Sequence, residues 1–190
     1  MTPTEFCHVG TRLRQARLTK RMRLKDVARE VGCSESMLSK IERERAVPSL
    51  RILHRVAAVL DTSIAVLFAD PQDNEVQIYR AGKRPTIILG SDSDSPTIHL
   101  ERLVPHVDDQ IIDGNVHVVF PGAGNGGEIK HFGQEIGFVI EGQIELTVGE
   151  QQFRLKTGDS FFFRSSLPHS YRNTTSQICK VVWINTPPTF

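Results

Sequence analysis

Apolar residues recur at helical spacing through the first seventy positions and as short β-prone runs after them. The clearest helical pattern is Leu24 to Arg45. Leu24, Val27, Ala28 and Val31 share one face of a first helix. Gly32 then permits a sharp bend, and Ser34 can cap a second helix by accepting a backbone N–H. In that second helix Met37, Leu38 and Ile41 fall on one side. At about 100° per residue, Ser36, Ser39, Lys40 and Arg43 fall on the other. A short helix with an apolar back and a small, polar, basic front suits the major groove of DNA.

The pattern predicts three more helices. One runs from Gly10 to Arg23, with Leu13, Ala16 and Arg17 facing inward. Another starts behind Pro48 with Ser49 as its cap, and Leu50, Leu53, Val56, Ala57 and Leu60 line its core face. A last one, capped by Thr62 or Ser63, ends near Phe68. Residues 1–9 read as a loose leader. Asp70 to Glu75, polar and broken by Pro71, reads as a linker. Strand-like runs follow at Val76–Tyr79, Thr86–Leu89, Thr97–Val104, Asn115–Phe120, Ile136–Ile140, Ile144–Val148, Gln152–Leu155, Ser160–Phe163 and Lys180–Ile184. No helical run intervenes, so an antiparallel sandwich or barrel is expected. Ser91–Ser95 is expected to be an exposed loop. The predicted domains are 1–69, a helical head; 70–80, linker and first strand; and 81–190, an all-β body.

Charge sharpens this division. Residues 1–70 hold 13 Lys and Arg against 8 Asp and Glu; the remaining residues hold 10 against 14. A basic front third can meet a polyanion that the acidic remainder would repel. No apolar run approaches the roughly 18 residues that span a membrane, and the N-terminus has no signal-peptide layout. Cys7, Cys33 and Cys179 lie far apart without a CxxC pair, which fits a reducing cytoplasm rather than a disulfide framework.

Gly10-x-Arg12-Leu13-Arg14, Leu24 to Ala28, Ser39 to Glu42 and Pro48-Ser49-Leu50 resemble the Cro/phage-repressor (XRE) type of helix-turn-helix domain over about residues 10–69. That resemblance implies a five-helix bundle in which Glu42 pairs with Arg17 inside the domain. It also implies base contacts at Glu35, Ser36 and Lys40, with Ser34, Ser39, Arg43 and Arg45 on phosphates or flanking positions. The chemistry agrees: Lys40 can donate to guanine O6 and N7, Ser36 can pair with several base edges, and Glu35 can accept from cytosine N4. Arg43 and Arg45 suit phosphates, which give affinity without sequence information. Proteins of this kind bind two-fold operators as dimers, so double-stranded DNA and a second copy are the expected partners.

Glu128 to Gly142, with Gly158-Asp159 through Pro168-His169 to Asn173, resemble the two motifs of the cupin (jelly-roll) barrel. The resemblance implies that His131, Glu135 and His169 match three of the four usual metal ligands, with Ile129 in place of the first His. No cofactor is certain; a divalent metal is one expectation and a metal-free polar cluster the other. The domain order, Gly126 to Gly149 and the closing residues 186–190 are similar to the bacterial repressors of putrescine utilisation. This implies a repressor released by a polyamine, amine or amino-acid derivative. A polyamine needs carboxylates for its ammonium ends and apolar walls for its methylenes. Glu135, Glu128 or Glu141 can serve the ends, and Phe161, Phe163, Tyr171 or Trp183 the walls. Arg164 and Arg172 flank the second motif, and if turned inward they would favour a carboxylate ligand instead. The expected ligand-binding set is Glu128, His131, Glu135, Arg164, His169 and Tyr171. The fold expected is α+β in two domains, and no enzyme activity is expected. The competing readings are a metal-dependent enzyme tethered to DNA and a body that only dimerises.

Overall fold

Ser34 and Ser49 set where two of the helices start. The Ser34 side chain accepts from the backbone N–H of Met37 at 3.1 Å, and Ser49 accepts from Ile52 at 3.3 Å. The computed structural model describes residues 9–62, 64–67, 76–90, 96–105 and 110–188. Its helices are α1 (Val9–Thr19), α2 (Leu24–Val31), α3 (Glu35–Glu42) and α4 (Leu50–Val59). The fifth expected helix is a single turn, Ile64–Leu67, too short to hold itself without tertiary packing. Among the described residues the head is therefore a four-helix domain, and the five-helix expectation is corrected; the expected helix end near Phe68 lies outside the described residues.

Gly32 closes α2 in the left-handed region, φ 74°, and turns the chain into α3. Leu13, Val27, Val31, Leu38, Ile41, Leu53 and Val56 from all four helices are at most 2% exposed and form one core. At its edge Arg17 grips Glu42 with two parallel bonds of 2.6 and 2.8 Å. Glu42 thus faces the interior of the domain rather than a groove of DNA.

Among the described residues the body has nine strands: β1 (Thr86–Leu89), β2 (Ile98–Arg102), β3 (Asp113–Val119), β4 (Gln134–Glu141), β5 (Gln143–Val148), β6 (Gln151–Lys156), β7 (Ser160–Arg164), β8 (His169–Arg172) and β9 (Cys179–Thr186). Antiparallel pairing gives a six-stranded sheet, β1-β2-β3-β9-β4-β7, and a three-stranded sheet, β6-β5-β8. No strand pairing among the described residues closes one sheet on the other, so the expected barrel is two sheets. Single bridges at Ile129–His169 and Gly124–Arg172 tie the connecting loops to β8.

Val76–Tyr79 is irregular rather than a strand, and the four-residue β8 escapes the sequence pattern. Residues 1–8 of the leader, the linker at 70–75 and the loop at 91–95 lie outside the described residues; Val9, expected in the leader, instead opens α1 and is buried. Cys33 and Cys179 are free thiols, half-buried and buried.

β4 places the site. Glu135, Gly137 and Val139 point into the body while Ile136, Phe138 and Ile140 point out. Gly137 is small for a reason: a Cβ there would stand 2.1 Å from the Phe161 ring. Phe161 packs edge-on against Trp183 at 4.7 Å between centroids.

Candidate functional site

Two places in the chain gather polar side chains without a structural need for them. The first is the exposed front of α3. Glu35, Ser36, Ser39, Lys40, Arg43 and Arg45, with Leu24, line one open groove. Arg43 donates to the Ser39 hydroxyl, and Lys40, Arg43 and Arg45 are exposed. The groove therefore carries three cations and one carboxylate. Ser34 lies beside it and is engaged as the α3 cap.

The second is a cavity of about 60 Å³ inside the body, room for roughly four to six water-sized groups. Asp113 and His117 on β3, Glu135 on β4, His169 and Tyr171 on β8 and Trp183 on β9 line it, with Asn115, Asn125, Ile129, His131 and Asn185. His131 Nε2 stands 2.8 Å from Glu135 Oε1. His169 Nε2 stands 3.2 Å from the same oxygen. The Trp183 indole N–H donates to the other carboxylate oxygen.

Hydrogen bonding fixes what this cluster wants. His131 Nδ1 lies 3.0 Å from the Phe132 carbonyl and His169 Nδ1 3.0 Å from the Leu167 carbonyl. A carbonyl only accepts, so each Nδ1 carries its hydrogen and each neutral ring turns a bare Nε2 toward Glu135. Two bare nitrogens and a carboxylate oxygen, all within 4.8 Å, demand positive charge among them. Burial alone would raise the Glu135 pKa, but once His131 and His169 take a proton on Nε2 they donate to the carboxylate and hold it well below its usual range. Burial likewise opposes a charged His169, and Glu135 overcomes that and raises its pKa.

His117 and Tyr171 stay neutral. Burial pushes His117 down to about 4; its Nδ1 hydrogen-bonds the Tyr171 hydroxyl at 2.9 Å. Burial and the Glu135 charge keep Tyr171 a phenol. No Lys or Arg is among the described residues that line the cavity.

Three kinds of cation meet this geometry: a proton, an ammonium group whose N–H donors match three acceptors, and a divalent metal. A metal fits by donor set, two imidazoles and a carboxylate, and by orientation, since each ring hands its other N–H to a carbonyl. His131, Glu135 and His169 would hold it, and it would supply Lewis acidity. Ile129 leaves the position of the fourth usual ligand apolar, buried and lining the cavity.

Of the ligand-binding set expected from sequence, the fold brings His131, Glu135, His169 and Tyr171 together. Glu128 is exposed and lines a cleft outside the cavity. Arg164 is exposed at the end of β7, and Arg172 is exposed as well, its guanidinium donating to the Gly122 carbonyl. Neither arginine therefore argues for a carboxylate ligand. Glu141 pairs with Lys180 at the surface, 2.6 Å. Phe161 and Phe163 back the wall that Trp183 and Tyr171 form. Asp113, His117, Asn125 and Asn185 were not singled out from sequence. The signal for Asp113 and His117 was in β3, where Asp113, Asn115 and His117 alternate with glycine and valine: a strand buried on both faces whose polar face must look into a polar interior.

A helix-turn-helix head joined to a two-sheet body with a buried polar cavity defines a class. Residues 8–67 match the Helix-turn-helix domain and residues 115–185 the Cupin domain. The chain is a DNA-binding transcriptional regulator of the helix-turn-helix type, with a cupin domain. It is similar to the transcriptional regulator PuuR of Escherichia coli (strain K12), 29% identical over 95% of this chain and 96% of PuuR. It is also similar to the regulator SutR of the same organism, 26% identical over 89% of each. A crystal structure of an HTH_3 family transcriptional regulator from Vibrio cholerae shares the fold, with a TM-score of 0.67 at 21% identity over 96% of both chains. No helix among the described residues is long and apolar enough to cross a membrane.

Proposed function

We propose that the chain is a dimeric cytoplasmic repressor of amine or amino-acid catabolism that releases DNA when a small organic cation occupies the cupin cavity. One observation carries the reading: the cavity presents three converging acceptors, a second carboxylate in Asp113, and no lining cation. Asp113 and Glu135 both pair with Asn185, one from each neighbouring strand. Two strand spacings of about 4.8 Å put their backbones roughly 10 Å apart on one face. A short diamine can reach both, with Trp183 and Tyr171 against its methylenes. The similarity to PuuR over nearly the whole chain supports the regulator half of the proposal. A cavity this small and buried suits a sensor better than catalytic turnover.

The outer face of the six-stranded sheet supports the dimer. Ile136, Phe138, Ile140 and Phe162 are 42–61% exposed, and Phe162 lies opposite Ile136 across β4 and β7. Contiguous exposed apolar surface on a soluble domain marks a contact. A second copy across a two-fold axis would cover it and set two α3 helices for two half-sites.

Gel-shift titration of duplex from the chain's own upstream region with putrescine, spermidine and amino acids tests the proposal. Release by a short amine is expected, together with its loss in Glu135→Gln. No effect of any amine on DNA affinity would remove the effector class. A metal sensor is the second reading, favoured by the two Nδ1–H to carbonyl bonds. Stoichiometric metal in protein purified without chelator, lost in His169→Ala, would establish it and reopen the question of enzyme activity.

A further inference from the structure

The cavity of the cupin body is walled in part by the DNA-binding head. α4 begins on the body: Arg51 N–H donates to the Asn125 carbonyl at 3.2 Å, and Gly90 N–H donates to the Pro48 carbonyl at 3.1 Å. Ser49, the α4 cap, sits so close over Gly126 that a Cβ there would stand 2.8 Å from the Ser49 Cβ. Gly126 also has φ 85°, so a side chain is excluded twice over. One turn into the helix, Leu50 and His54 share a face, and that face lines the cavity together with Ile64.

His54 has a distinctive place. Its ring stacks on His131 with centroids 5.9 Å apart and planes 30° apart. It lines the inner cavity and also the outer cleft that Arg51, Arg55, Ala58, Glu128, Ile129 and Lys130 form between head and body. His54 and Ile129 are thus the partition between cavity and solvent on this side.

We propose that His54 of the DNA-binding head is a ligand-contacting residue of the cupin site and the door of its cavity. The inference rests on the reading that the cavity holds an effector. An occupant that reaches past His131 meets α4 directly, and α4 packs on α2 beneath the reading helix. Displacing His54 therefore displaces the head, which gives occupancy a route to half-site spacing without any relay through the sheets.

The sole tryptophan of the chain, Trp183, lines the same cavity and reports on the door without any ligand. In the full chain, acrylamide quenching of Trp183 should rise about twofold or more in His54→Ala as the wall opens. It should stay at the wild-type value in His54→Phe, which refills the gap. Unchanged quenching in His54→Ala, with an unchanged melting temperature, would overturn the door. With putrescine as probe, His54→Ala should need about tenfold more amine than wild type for release, each protein measured against its own amine-free operator affinity. An unaltered putrescine response in His54→Ala would overturn the contact. If wild type itself ignores putrescine, the amine reading fails, and the quenching comparison alone decides His54.

Discussion

Lys40 and Arg45 stand on the same groove but do different work. Lys40 projects from the last turn of α3, on the face that would meet base edges. Lys40→Ala should cost about 1–3 kcal/mol of operator binding and relax one base position. Arg45 follows the helix and suits a phosphate. Arg45→Ala should weaken all duplexes alike and reduce the slope of log affinity against log salt by about 1. Binding to operator and scrambled duplex at several salt concentrations separates the two. His117 makes a prediction of a different kind. It titrates at about 4 in the fold and near 6.5 unfolded. Below pH 6.5 the unfolded chain takes the proton first, so stability falls as pH drops from about 6.5 toward 4. His117→Gln removes that loss, and its stability relative to wild type should rise by about 2 kcal/mol between pH 7.5 and pH 5, read by urea melts. The groove residues were legible in sequence because helical periodicity assigns each a face. Arg164 was not, since alternation along a strand names two faces without saying which is inside.

The β4 strand serves two purposes through its two faces. Inward it presents Glu135 and the gap at Gly137; outward it presents Ile136, Phe138 and Ile140. Gly137→Ala should drive the new methyl into Phe161, displace the ring from Trp183 and destabilise the protein by about 1–3 kcal/mol, seen as a lower melting temperature. Phe138→Lys should leave the fold intact and convert a dimer to monomers in sedimentation experiments; a monomeric wild type would sink the interface. Strong periodicity made α2, α3, β1 and β7 readable nearly to the residue. β8 was missed because His169-Ser170-Tyr171-Arg172 has neither an apolar run nor a β-branched residue. It is a strand through its pairing with β5, a non-local cause. Val76–Tyr79 failed in the opposite direction: its residues are β-prone, yet the stretch is irregular, because propensity alone does not make a strand.

Across the whole molecule, the basic head and acidic body were visible in the distribution of charge, and so was the two-domain plan. The way the domains meet was not. His54 comes from the head and His131 from the body, and nothing in either local pattern announces the other. The seam at Ser49, Arg51 and Gly126 also limits what can be recombined. Grafting a foreign reading head onto this body would preserve both parts yet leave the chamber without its lid unless the graft kept Pro48 to His54. A chimaera in which the foreign head ends before Pro48 should keep its inducer response; one joined at residue 70 with an unrelated head should grip its operator permanently.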